Sequence, residues 1–369
     1  MKILLSGFLL TLAISHADTK HVYFGTSGRE AKGIYQAKFD SEKGALSVPT
    51  LAAEVKSPGF LAMHPNGDAL YAVANTPDGA GVVAYTVDDA GALTLLNTAP
   101  IGDGGGAHVA VHPSGKLLLT AQYGGGSTAC FKLAVDGKLA GLPVLHEHEG
   151  GSKVVGKRQD SPHPHWCGFS PDGKFAFVPD LGMDGIVIYK VDAKNSSISK
   201  HGFAASIPGG GPRHMRFSVD GKFIYLLNEL ALAVSTFAYD ADKGTATLLT
   251  TTQSLSDAVK AKETFNSASE ILVHPNGKFV YSANRGNDSV TAYVANPKTG
   301  ELAVTEVEPI RGAWPRNINI DATGKWLLAA GAQSNTISMF EINQESGELT
   351  FHRGKIVNVP GSICILFGY

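Results

Sequence analysis

Hydrophobic residues in this chain alternate with a period of two far more often than with the helical period of 3.6. The clearest unit is an apolar strand, a turn of the His-Pro-Asn-Gly type, and a second aliphatic or aromatic strand. It is written six times: LAMHPNGDALYAVAN, VAVHPSGKLLLTAQY, CGFSPDGKFAFVPDL, MRFSVDGKFIYLLNE, ILVHPNGKFVYSANR and INIDATGKWLLAAGA. The turn glycines are Gly67, Gly115, Gly173, Gly221, Gly277 and Gly324, so the unit returns at steps of 48, 58, 48, 56 and 47 residues. A repeat of about 50 residues has the length of a four-stranded propeller blade. Val/Ile/Tyr-rich segments such as GVVAYTV and GIVIYKV, then stretches such as TGELAV, supply two outer strands per blade. Only the region 255–265 predicts a short helix.

Six copies leave a fragment at each end of the chain. HVYFGTS, near the N-terminus, matches the second strand of a hairpin, and PGSICILF, near the C-terminus, matches the first. Joined, they make a seventh hairpin and remove the free sheet edges of an open ring. The expectation is an all-β fold, a seven-bladed β-propeller closed by its two terminal strands, forming one domain over 18–369. The longer steps place insertions near 141–162 and 250–267. Residues 1–17 have one Lys, an apolar run from Ile3 to Ile14, and Ser15 and Ala17 before Asp18. That is the pattern of a secretory signal peptide, with an apolar run too short for a membrane anchor. A periplasmic or secreted protein is expected, with no membrane contact after cleavage.

The strand period also predicts a site. Counting by two from each turn glycine, the residues four and six before it are all apolar, for example Phe217 and Met215 or Ile320 and Ile318. Eight before, the same column reads Gly59, Ala107, His165, Arg213, Ser269 and Arg316; eight after, it reads Asn75, Tyr123, Leu181, Glu229, Arg285 and Ala332. Both positions lie at the open end of the hairpin, opposite the turns. Propeller geometry gathers those ends around one channel, so His165, Arg213, Glu229, Arg285 and Arg316 should converge there. His163 and Asp160 precede this column, and His108, His214 and Glu270 neighbour it, as supporting candidates. The turn histidines His64, His112 and His274 fall at the far end.

Charge narrows the ligand. A net charge of −2, with 17% charged residues and no basic run, carries no footprint of a nucleic acid or lipid partner, which favours a small molecule. Arginines without matching carboxylates point to an anion, because the guanidinium fork holds carboxylate or phosphate bidentately. The competing reading is that Arg213 simply pairs with Glu229 across its own hairpin. Imidazole titrates near neutrality, which makes His165 a candidate base or donor. The glycine runs GDGGGAH and PGGGP offer backbone N–H groups to an anion, yet no helix follows either, and tight turns explain them better. Rim oxygens of Glu229, Asp180, Asn228 and Asn284 would suit a metal, but the arginines compete for them, and no metal or other cofactor is expected. Cys130, Cys167 and Cys364 have no zinc spacing and read as core residues.

The segments DSPHPHWCGFSPDGKFAFVPDLG, GGGPRHMRFSVDGKFIYLLNEL, SEILVHPNGKFVYSANRGNDS and WPRNINIDATGKWLLAAGAQS together resemble the lactonase family of seven-bladed propellers. That family includes the propeller type of 6-phosphogluconolactonase and the fungal 3-carboxy-cis,cis-muconate lactonizing enzyme. The resemblance spans the chain after residue 17. It implies hydrolysis of a sugar-acid lactone without a metal, with His165 and Glu229 as catalytic groups. Arg213 and Arg285 would bind the substrate; the strand count adds Arg316, with His163, His214 and Glu270, to the substrate-binding candidates. The resemblance implies a small anionic lactone as partner and a monomer. Its alternatives are a lactonizing cycloisomerase and a non-catalytic binding propeller. An exported chain would not meet 6-phosphogluconolactone, a cytoplasmic intermediate, so a carboxylate-bearing lactone is equally expected.

Overall fold

The computed structural model describes residues 19–368, so the signal-peptide expectation for 1–17 lies outside the described residues. The chain forms seven antiparallel sheets arranged in a ring. Six are four-stranded, each laid down in chain order from the channel outward or the reverse path of the same order. Their inner strands are Lys56–Met63, Gly106–Val111, Gly168–Phe169, Pro212–Phe217, Ser267–Val273 and Pro315–Ile320. The seventh blade joins the two chain ends. Its inner strand Ser362–Phe367 pairs with Thr19–Thr26, which pairs in turn with Gly33–Asp40. Ring closure by the terminal strands is therefore observed as the sequence predicts.

The apolar period places the core between blades. Seven clusters of buried side chains each draw on two neighbouring blades, such as Tyr71 and Val73 against Leu118 and Phe131, or Phe24 and Phe39 against Leu328 and Met339. Polar bolts reinforce the same interfaces. Tyr23, Tyr71 and Tyr281 each donate a hydroxyl to the carbonyl of a turn glycine in the next blade (Gly91, Gly137 and Gly347), all at 2.8 Å. His112 and His274, in turns between inner and second strands, reach the carbonyls of Gly173 and Gly324 in the next blade at 2.9 and 2.7 Å. Those histidines are turn residues that bind one blade to the next.

The two insertions are largely irregular. The first holds one turn of 3₁₀ helix, Gly156–Arg158; the second holds a single helical turn, Asp257–Lys260, shorter than the predicted 255–265, with Ser256 as its cap.

Outer strand pairs carry register shifts, but those that matter for the site interrupt the inner strands at the channel end. Pairing shifts by one residue between Pro212 and His214, between Pro315 and Asn317, between Gly106 and His108, and between Ser362 and Cys364. Arg213, Arg316, Ala107 and Ile363 are thus the extra residues of β-bulges. A bulge bends its strand and re-aims a side chain, here at the rim of the channel. The column eight before the turn is not a continuation of the packed face, as uniform counting implies; it is turned out of that face.

The terminal strands close the ring, so a chain ending at Pro360 leaves Thr19–Thr26 as an exposed edge beside the channel. Size-exclusion chromatography of that truncation should show aggregates instead of a folded monomeric species. A soluble form with the native melting profile would contradict the closure argument.

Candidate active site

A cavity of about 530 Å³ opens at the rim opposite the turns, and the bulged column lines it: Gly59, Ala107, His165, Arg213, Arg316 and Ile363. Second strands of the blades add Tyr123, Glu229 and Arg285. Ser269 is the exception in the column, because its carbonyl accepts from Arg213 Nη1 and its hydroxyl donates to the Pro315 carbonyl.

Glu229 is the centre of the charge cluster. Its Oε2 lies 2.9 Å from Arg213 Nε and 3.1 Å from Arg285 Nη2, and its Oε1 lies 2.8 Å from Arg158 Nη2. Arg213 does pair with Glu229 across its hairpin, but two further guanidiniums share the carboxylate. Burial alone would raise the Glu229 pKa; Arg285 and Arg213 outweigh it and hold the carboxyl well below its usual range. Burial and repulsion from Arg285 push Arg213 down to about 9. Arg285 is braced by the Ala268 carbonyl at 2.8 Å and lies over the Trp314 ring, 5.7 Å from its centroid. Arg316, half-buried beside Arg285, has no carboxylate within ion-pair distance among the described residues. Four guanidiniums therefore face one carboxylate in a single cavity.

Three histidines cluster on the floor. The ring centroids of His165 and His214 are 5.4 Å apart, and those of His214 and His108 are 5.5 Å apart. Phe60 packs on His108 at 4.2 Å and Trp166 lies 5.3 Å from it. These rings stand between the rim cavity and an apolar space of about 580 Å³ on the turn side, lined by Met63, Phe169 and Met215 among others. Burial, then the nearby arginines and neighbouring imidazole, lowers the pKa of His165 well below 6.5; burial and four arginines do the same for His214. His165 Nε2 is 4.0 Å from Glu229 Oε2, and its Nδ1 has no partner.

Two expected substrate contacts do not line the cavity. Glu270 is fully buried behind His214, accepting from its Nδ1 at 3.0 Å. His163 Nδ1 donates to the Tyr123 carbonyl at 2.7 Å, with its ring stacked on Tyr123 at 4.6 Å, so it supports the wall from behind. Asp160 is exposed. The oxygen groups considered for a metal are not brought together: Asp180 binds His148 Nδ1 at 2.7 Å, and Asn228 and Asn284 donate within their own blades. The PGGGP loop does cradle an anion, but an internal one. Gly209 and Gly211 donate their N–H groups to the Asp184 carboxylate at 2.6 and 2.9 Å, both glycines at positive φ.

Strand counting missed Arg158, which comes from the first insertion and also reaches the Tyr123 hydroxyl at 3.2 Å. Its only sequence signal is the long step between the second and third turns. Tyr123 did stand in the column eight after a turn, but as a residue without charge it drew no attention.

The sequence model described as "Lactonase, 7-bladed beta-propeller" matches residues 21–367. The chain is 34% identical over 353 residues to a protein of Bacillus subtilis named 6-phosphogluconolactonase, covering 95% of this chain and 99% of that one. It is 32% identical over 332 residues to a Formosa agariphila protein of the same name, covering 88% and 92%. Among solved structures, the periplasmic gluconolactonase of Pseudomonas aeruginosa superposes with a TM-score of 0.87 at 27% identity, covering 95% of this chain and 99% of that one. With its blades, its closure and the match across 21–367 in agreement, the chain belongs to the lactonase family of seven-bladed β-propellers.

Proposed function

We propose that this protein is a lactone hydrolase acting on a sugar-acid lactone that carries an anionic group. The observation that carries the reading is the excess of guanidinium over carboxylate in the rim cavity, with Arg316 in no ion pair among the described residues. The names of its relatives support the reaction class.

The chemistry needs a water, a base and an oxyanion site. Water adds to the lactone carbonyl, the oxyanion develops, and the ring C–O bond breaks to release a hydroxyl and a carboxylic acid. Preorganised cationic donors at the oxyanion contribute about 10²–10³-fold each. Arg213 and Arg285 are preorganised because Glu229 and backbone carbonyls fix them before any substrate arrives. Glu229 is a poor base: three guanidiniums occupy its lone pairs and keep it ionised. Its part is to hold the arginines, and proton transfer falls to the neutral imidazoles at the floor, with His165 touching the reacting group. The leader pattern of 1–17 extends the proposal to an exported enzyme, which cell fractionation of the full chain tests.

Three outcomes are expected. Arg316→Met should raise KM for an anionic lactone about 10–100-fold, the worth of one lost charged hydrogen bond, and leave the uncharged glucono-lactone nearly unaffected. An equal loss on both substrates in a steady-state assay would remove the anion argument. His165→Ala should lower kcat/KM at least about 10²-fold on the best lactone, with NMR of the product separating ring opening from ring formation.

The third concerns stability. His108, His165 and His214 are held neutral, with folded pKa values below 6.5, so the unfolded chain binds their protons first as pH falls. Their contribution is complete above pH 6.5 and is lost below it. Glu229, with its pKa lowered, loses its contribution only below about 4.5, the ordinary glutamate value. The melting temperature should therefore decline between pH 7 and pH 5, and a flat profile there would mean that the imidazoles are protonated in the folded state.

A further inference from the structure

We propose that His214 is the proton acceptor of this site and that Glu270 is the carboxylate that orients it, an assignment that rests on the lactone-hydrolase reading above. His214 borders the cavity, its Nδ1 lies 3.0 Å from Glu270 Oε1, and its Nε2 is buried with no hydrogen-bond partner among the described residues. A carboxylate only accepts, so Nδ1 carries the proton of the neutral ring and Nε2 keeps a free lone pair.

Glu270 is fixed from every side. Its Oε1 also accepts from Arg216 Nη2 at 3.1 Å and Ile271 N at 2.9 Å, and its Oε2 accepts from Asn317 Nδ2 at 2.6 Å. Asn317 is itself held by Ile365 N at 2.8 Å, so three neighbouring inner strands lock the carboxylate in place. Glu270 has no exposed surface and is a positioning residue. A base fixed on one nitrogen by a carboxylate and free on the other is the arrangement that proton abstraction requires.

His165 is placed differently. No carboxylate binds its Nδ1, and its Nε2 faces Glu229 at 4.0 Å, which favours a proton on Nε2. The two imidazoles thus offer complementary nitrogens, a donor at His165 and an acceptor at His214. As the attacking oxygen bonds to the lactone carbonyl carbon, one water O–H bond breaks and its proton passes to His214 Nε2. His165 Nε2–H and the guanidiniums hold the oxyanion. When the ring C–O bond breaks, the leaving oxygen takes that proton back and the imidazole is neutral again; the product acid ionises to solvent.

The groups facing His214 are Glu270 across the blade interface, Arg213 and Arg216 on its own strand, His108 and His165 from two preceding blades, and Arg285 and Arg316 beyond. Burial and the four arginines keep the ring unprotonated at neutral pH, so its protonation should switch activity off on the acid side.

The test is the pH dependence of lactone hydrolysis by wild type, His214→Gln and Glu270→Gln. His214→Gln should lower kcat about 10²–10⁴-fold with KM changed less than about threefold, and its residual rate should rise about tenfold per pH unit, as hydroxide attack does. Glu270→Gln should lose less and move the acid limb to lower pH, since removing the negative charge makes the imidazole harder to protonate. A folded His214→Gln that keeps wild-type kcat and its acid limb overturns the assignment and leaves lactone hydrolysis standing. A wild type that opens no lactone overturns the reading and the assignment together. Should the variants fail to fold, long-range ¹H–¹⁵N correlation on histidine-labelled wild type decides: His214 protonated on Nδ1 is expected, and protonation on Nε2 overturns the proposal.

Discussion

The site depends on one buried carboxylate. Glu229 sits among Arg213, Arg285 and Arg158, and without it the first two would be like charges enclosed together in low dielectric. Taking a guanidinium out of water costs several kcal/mol, which only a well-placed counter-charge and good hydrogen bonds offset. Glu229 is thus the condition for having arginines on this wall at all. Its single charge cannot neutralise them, and Arg316 widens the deficit. The remaining positive potential is what an anionic ligand would meet, in a cavity whose dipoles are already oriented.

Blade geometry brings these groups together. Inner strands of seven blades converge on the channel, and several present residues there where a bulge interrupts the packed face. Apolar contacts between blades fix the strands, so rigidity of the ring becomes precision at the rim. The tyrosine and histidine bolts at the outer turns and at the far end act on the same interfaces.

Much of this was legible beforehand because it follows from period. Repeated hairpins specify the blades, the half-hairpins HVYFGTS and PGSICILF specify the closure, and the shared offset from the turn glycine picks out His165, Arg213, Glu229 and Arg285. What period cannot reveal is anything carried by irregular backbone. The bulge at Arg213 breaks the alternation used to find it, so a residue that does line the cavity emerges from counting that mistakes the face it occupies. Arg158 comes from a loop with no repeat counterpart, and it reaches Glu229 only because the first insertion folds over the cavity. Glu270 sits one residue beyond the counted column, and its distance from the cavity depends on the shifted register of its strand.

The ring layer beneath the site explains why an open channel can host polar chemistry. Phe60, His108, Trp166 and His214 interrupt the passage between the rim cavity and the apolar space on the turn side. A bound lactone filling the rim side would leave the arginines and imidazoles with little solvent around them. Charge interactions strengthen as the local dielectric falls. The same closure accounts for the histidines in the layer. A wholly apolar plug would seal the channel but offer no group to handle a proton, whereas imidazoles kept neutral by burial seal it and retain a basic nitrogen beside the substrate. Seal and chemistry are thus carried by the same side chains, which is why the floor of the cavity, as much as its charged wall, belongs to the site.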